Sequence, residues 1–161
     1  MRHYLFNTNK QKYVKGDKPK VDCILCALRD KHPDVVNLEI ARRQGFIVSV
    51  NLYPFNPGHI MIFPSRHTEK IDELTDEEAL AMHRILTKSL KILQKEFNPD
   101  GFNVGYNLGQ NSGASVSHLH LHVVPRFGNE VGYLDVLAGA RLVVVDPVDI
   151  RDRLRKGFES F

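Results

Sequence analysis

The sequence predicts an α+β fold with a mainly antiparallel sheet, one long helix and a C-terminal helix. Three observations predict it. Short β-branched and aromatic runs recur between turn residues, a capping box opens a single long amphipathic segment, and strand-forming residues resume directly after that segment ends. The chain has 161 residues, 42% of them hydrophobic and 25% charged. These values suit one compact domain that buries roughly two-thirds of its surface without needing disulfides or a metal. Residues 1–20, rich in Lys, Asn and Gln and lacking apolar periodicity, read as a loosely ordered N-terminal arm; residues 21–161 read as one domain.

The elements follow in order. Phe-Ile-Val-Ser-Val-Asn-Leu from Phe46 to Leu52 and Ile60-Met61-Ile62-Phe63 flank the turn-forming stretch Pro54 to Gly58, which predicts an antiparallel hairpin. Thr75-Asp76-Glu77-Glu78 has the form of a capping box. Met82, Ile85, Leu86, Leu90, Leu93 and Phe97 then recur at three- and four-residue steps, so one face of this helix packs on a sheet, and Asn98-Pro99-Asp100-Gly101 ends it. The alternation of residues 102–108 predicts a strand, a small-residue loop spans 109–115, and a histidine strand follows. Val143-Val144-Val145 reads as a last strand and residues 149–161 as a closing helix.

A net charge of +3 suits a polyanionic small molecule, but the cations are interleaved with acids and outline no nucleic-acid groove. No apolar run approaches the length of a membrane span, and Met1-Arg2-His3-Tyr4-Leu5-Phe6-Asn7 lacks the apolar stretch of a secretory signal. A cytoplasmic protein is expected. Cys23 and Cys26, two residues apart, then point to metal or redox chemistry more than to a structural bridge.

His118-Leu119-His120-Leu121-His122 carries the chemistry. On a strand the three imidazoles share one face, while Leu119, Leu121 and Val123 anchor the other on the core. A neutral imidazole is a competent nucleophile near neutral pH, and a protonated neighbour can neutralise a phosphate oxygen or protonate a leaving group. Immediately before it, Ser112-Gly113-Ala114-Ser115 lacks bulk, so backbone N–H groups there can cradle an anion with the Ser115 hydroxyl as a further donor. Phosphoryl chemistry with His120 as nucleophile follows. A metal-binding histidine cluster and a sheet face whose histidines are incidental are the alternatives.

The run from Gly113 to Arg126 closely resembles the signature of the histidine triad family. The likeness extends over Asn51-Leu52-Tyr53-Pro54-Phe55-Asn56-Pro57-Gly58-His59, Pro64-Ser65-Arg66-His67 and residues 100–109, and covers roughly 22–146. Within the family the chain looks most like the bacterial and archaeal branch related to diadenosine tetraphosphate phosphorylases and hydrolases, which also carries the Asn-Leu-Tyr-Pro hairpin and a segment like residues 132–137. The resemblance implies a nucleotidyl hydrolase or transferase that cleaves dinucleoside polyphosphates at the α-phosphate. His120 is transiently nucleotidylated and then released by water or inorganic phosphate. It also implies a nucleotide-binding set: Asn51 on the ribose, His59 behind the nucleotide, Asn107 near ribose and phosphates, Gly113, Ala114 and Ser115 at the phosphates, and His122 as phosphate contact and leaving-group proton donor. Asn51 and His59 also read as ordinary turn formers. Ala114 stands where many members have Gln, so only its backbone N–H remains and phosphorolysis gains weight over hydrolysis. A nucleoside phosphoramidase and a non-catalytic nucleotide-binding regulator are the other functions considered, and a homodimer is expected by analogy.

Zinc-bearing branches of the family resemble a further pattern here. Cys23 and Cys26 supply two soft ligands, and the histidine after the second strand, His67, with the first of the triad, His118, would complete a structural Zn2+ site. The alternatives are two small buried apolar residues or a redox pair.

Overall fold

The structure, a computed structural model, describes residues 19–109, 111–128, 130 and 145–159. The elements are α1 (Ile24–Arg29), β1 (Glu39–Arg43), β2 (Phe46–Val50), β3 (Ile60–Pro64), a 3-10 turn (Ile71–Glu73), α2 (Asp76–Phe97), β4 (Gly101–Tyr106), β5 (Leu121–Arg126) and α3 (Pro147–Glu159). All strand pairs are antiparallel, in the order β1-β2-β3-β5-β4. The α+β expectation holds. The expected strand at Val143-Val144-Val145 lies largely outside the described residues, Val143 and Val144 falling outside them and Val145 standing in no strand. Residues 1–18 of the expected arm and the 132–137 segment also fall outside them.

The expected hairpin is β2–β3, in register from Phe46↔Pro64 to Val50↔Ile60. β2 is buried along its whole length, which is why its apolar run is continuous rather than alternating. β1 was not foreseen. Glu39-Ile40-Ala41-Arg42-Arg43 carries three charges and buries only Ile40 and Ala41. It is paired because Gln44 and Gly45 both take positive φ, 48° and 80°, the geometry of a two-residue primed turn that closes Arg43 onto Phe46. A Gln in place of the usual Asn or Gly conceals that turn from the sequence.

Helix α2 begins as its sequence requires. Thr75 Oγ1 accepts from the Glu78 N–H at 3.2 Å, and the Glu78 carboxylate accepts from the Thr75 N–H at 3.0 Å. The Arg66 guanidinium grips the same carboxylate through Nε at 2.8 Å and Nη2 at 2.7 Å. That fork, with the Thr75 N–H, holds the Glu78 carboxyl down at about 2 from an ordinary 4.5. Thr75→Ala is therefore expected to lower stability by about 1 kcal/mol, read as a lower urea midpoint at pH 7. The Glu78 contribution has the sign of a depressed carboxyl: it is present above about 4.5 and lost as pH falls towards about 2. The midpoint difference between wild type and Glu78→Gln should therefore shrink over that interval. Asn98, at φ 46° and ψ 52°, closes the helix in the left-handed cap conformation.

Residues paired across an antiparallel ladder share a face. Leu121 therefore shares one face with Ile62 and Tyr106, and the Tyr106 hydroxyl reaches Met82 Sδ of α2 at 2.9 Å, which marks this face as covered by helix. His122 shares the other with Met61 and Ser49. Helix α3 packs beside α2 and over the β1–β2 hairpin through Ile150, Leu154 and Phe158, which lie four residues apart and are all buried. The sheet is thus helix-backed on one side, leaving the other for α1 and the loops.

Candidate active site and metal centre

The histidine run enters β5 rather than lying within it. Both ladders stop at Leu121, paired with Ile62 and with Tyr106, and the chain before it bonds to a loop instead: the Leu119 N–H donates to the Thr68 carbonyl at 2.7 Å. Of the three histidines only His122 is a strand residue. Leu119, Leu121 and Val123 are nonetheless buried in the core, so the alternation survives without the ladder. The expected row of three equivalent imidazoles is divided. The rings of His120 and His122 meet edge to face at 4.7 Å, whereas His118 faces the cysteines.

Hydrogen bonds assign the tautomers. A carbonyl only accepts, so His120 Nδ1, 2.7 Å from the His118 carbonyl, carries the proton and leaves Nε2 with its lone pair. Burial pulls the His120 pKa down, which favours this neutral form. His59 is fully buried behind His122 and stacked on Phe55, ring centroids 5.3 Å apart. Its Nδ1 accepts from the Phe55 N–H at 3.2 Å, so its Nε2 carries the proton and donates to His122 Nδ1 at 3.0 Å. The Asn51 amide lies farther from that nitrogen, at 3.4 Å, and its Oδ1 accepts from the Tyr53 N–H at 3.0 Å. His122 Nε2 is then an N–H. Two adjacent imidazoles thus present opposite chemistry, a lone pair on His120 and a proton on His122.

Both rings line a cavity of about 290 Å³ that also receives Asn51, Asn107, Gly113 and Ser115. Of the residues expected there, Ala114 lies half-buried in the loop and His59 lies behind the wall; neither lines the cavity. The structure adds apolar walls that sequence reasoning missed: Leu25 and Leu28 of α1, Val36, and Leu52 and Phe55 of the 51–59 loop. Phe55 and Leu52 had a signal, being large apolar residues in a turn-rich stretch. Leu25 and Leu28 had little, because α1 is only six residues long.

Cys23 caps α1 and Cys26 sits in its first turn, with the Cys26 N–H donating to Cys23 Sγ at 3.5 Å. The Sγ atoms of both lie 3.5 and 3.6 Å from His118 Nδ1, and Cys26 Sγ lies 3.4 Å from His67 Nδ1. The His118 Nε2–H donates to the Pro64 carbonyl at 3.0 Å, which leaves Nδ1 bare towards the thiols. His67 turns its Nε2 towards the Glu69 carboxylate at 3.6 Å. Burial holds His118 down at about 4; burial, then Cys23 beside it, push the Cys26 thiol up to about 11. Four donor atoms of these residues lie within 4.8 Å of one another. A tetrahedral ion with metal–sulfur bonds of about 2.3 Å and metal–nitrogen bonds of about 2.0–2.1 Å sets sulfur and nitrogen about 3.6 Å apart. The observed spacings of 3.4–3.6 Å match. The donor set fits a metal of that kind, with His118 oriented by the Pro64 carbonyl behind it.

Comparison with known proteins finds relatives in one family. The HIT domain model matches residues 36–129, more than half of the chain and including His67 and His118 but neither cysteine. AP-4-A phosphorylases from two strains of Mycobacterium tuberculosis are 37% identical over 123 residues, 76% of this chain. The chain spans 62% of the length of those relatives. A bis(5'-adenosyl)-triphosphatase from Dictyostelium discoideum is 34% identical over 77 residues, 48% of this chain and 52% of its own. Among solved structures, a Zn-bound histidine triad family protein from Mycobacterium smegmatis shares the fold with a TM-score of 0.69 at 24% identity, covering 86% of this chain and 94% of its own.

Proposed function

The chain belongs to the HIT domain family, and from that premise we propose that it is a nucleotidyl hydrolase or transferase acting on dinucleoside polyphosphates. The observation that carries the reading is the pair of opposed tautomers, His120 with a bare Nε2 and His122 with an Nε2–H, facing one cavity. His120 Nε2 attacks the α-phosphorus, and the bond from that phosphorus to its bridging oxygen breaks. The His122 Nε2–H donates a hydrogen bond to the departing oxygen and stabilises the charge that gathers on it. In the second step a phosphate or water oxygen attacks, the phosphorus–nitrogen bond breaks and returns the lone pair to His120 Nε2, and where water is the acceptor its proton passes to solvent. Asn51 and Asn107 hold the ribose, while Gly113, the Ala114 backbone N–H and Ser115 hold the phosphates.

The phosphate loop favours inorganic phosphate as acceptor, since position 114 offers no side-chain amide. The relatives named as AP-4-A phosphorylases support the same choice. Incubation with diadenosine tetraphosphate, with and without phosphate, tests both statements. ADP and ATP appearing only with phosphate is the expected result; AMP and ATP without it assigns water as acceptor, and no cleavage under either condition overturns the reading.

We assign the Cys23, Cys26, His67 and His118 group to a structural Zn2+, supported by its donor chemistry and by the Zn-bound neighbour. A metal bound there would supply the positive charge that lets two thiolates lie together and would fasten α1 to the body. The free thiols suit a reducing, cytoplasmic setting; no helix among the described residues is long and apolar enough to cross a membrane. A homodimer is supported by β4, the last strand of the sheet order, which exposes Val104.

A further inference from the structure

The metal group and the cavity share one element. Cys23 and Cys26 hold the first turn of α1 against His67 and His118, while Leu25 and Leu28 of the same helix form part of the apolar cavity wall. Ile24, between them, borders both the cavity and the space beside the cysteines. A helix of six residues does not persist by itself in water. What ties α1 to the body, besides Leu25 and Leu28 in the core, is the Arg29 guanidinium on the Ser65 carbonyl at 2.7 Å, the Arg42 guanidinium on the Arg29 carbonyl, and the thiol–imidazole contacts.

We propose that metal binding and nucleotide binding are coupled through α1: the metal docks the helix whose inner face completes the cavity wall. The proposal rests on the reading of the cavity as a nucleotide site. Two of the four donors come from α1 and its cap, and two from the body of the domain, so free energy of metal binding is necessarily free energy of docking the helix. Nucleotide burial draws on the same docked helix, because an undocked α1 would withdraw Ile24, Leu25 and Leu28 from the cavity wall and leave the bound nucleotide open to water on that side. Two ligands that favour one conformation of a shared element must strengthen each other by the same factor. The coupling is read on affinity, since the α1 residues that line the cavity, Ile24, Leu25 and Leu28, are apolar and carry no group for the chemical step.

The test compares chelated protein with protein reloaded with Zn2+, each titrated with AMP by calorimetry, and measures Zn2+ affinity by chelator competition with and without saturating AMP. AMP should bind about tenfold tighter to the zinc-loaded protein, and AMP should raise zinc affinity by that same factor. Ile24→Ala should retain zinc while its loaded form binds AMP nearly as weakly as the metal-free wild type. Amide spectra of the metal-free protein should keep the sheet resonances and change at α1 and the cavity wall. Equal AMP affinity in both metal states overturns the coupling and leaves the nucleotide reading standing. Absence of AMP binding in both overturns that reading and the coupling with it, and global loss of the amide signals without metal overturns a coupling local to α1.

Discussion

His120→Ala should lower turnover of diadenosine tetraphosphate by about ten-thousand-fold or more while AMP still binds within about twofold of wild type. The two outcomes separate because the proposed contacts of the bound nucleotide, Asn51, Asn107, Gly113 and Ser115, surround the cavity independently of the ring that attacks. Removing the imidazole removes the covalent route altogether. Water would then have to displace the leaving group in one step, with no group assigned to activate it. The residue is 7% exposed and its ring is bonded to a neighbouring carbonyl, so loss of the ring leaves a small void in a loop flanked by intact strands rather than a disrupted core. Two measurements check this: turnover under saturating substrate, and intact-mass detection of the nucleotidylated chain during the reaction. The adduct should form on wild type and be absent from the variant. Undiminished turnover in His120→Ala would sink the mechanism.

Metal removal should produce the second large effect, on stability. If free Zn2+ is kept about a thousandfold above its dissociation constant, binding to the folded state alone contributes about 4 kcal/mol. For a domain of this size that corresponds to a fall in Tm of about 10 °C on chelation. The double variant Cys23→Ser, Cys26→Ser should match the chelated wild type and should not respond to chelator, because serine hydroxyls are poor replacements for thiolates on a soft ion. Calorimetry with parallel metal analysis decides it. Wild-type protein purified from zinc-replete culture with no bound metal, together with a Tm indifferent to chelator, would return the cysteines to the status of a free thiol pair.

Much of this architecture was legible because it is local. The capping box lies within four residues, Thr75 to Glu78, and the structure forms both of its hydrogen bonds. The β2–β3 hairpin was legible from two β-branched runs around a Pro- and Gly-bearing turn. β1 and α1 were not. β1 owes its existence to its neighbour and to a primed turn built on Gln44, a residue that does not advertise positive φ. α1 is too short for periodicity, and its place is decided by partners 41 to 95 residues away. The Cys-x-x-Cys spacing suggested a metal, and the resemblance pointed to His67 and His118; the structure brings all four side chains together. The tautomers lay beyond any sequence reading, since they depend on the His118 carbonyl and on the Phe55 N–H, which are main-chain groups.

Position 118 holds two duties on different covalent parts of one residue. Its imidazole faces the cysteines, and its carbonyl steers the ring at 120. A substitution there erases the first and spares the second, because every residue type supplies a carbonyl. Losing the ligand at 118 would thus weaken the metal centre, with the costs given above, while keeping in the chain the group that aims the nucleophile.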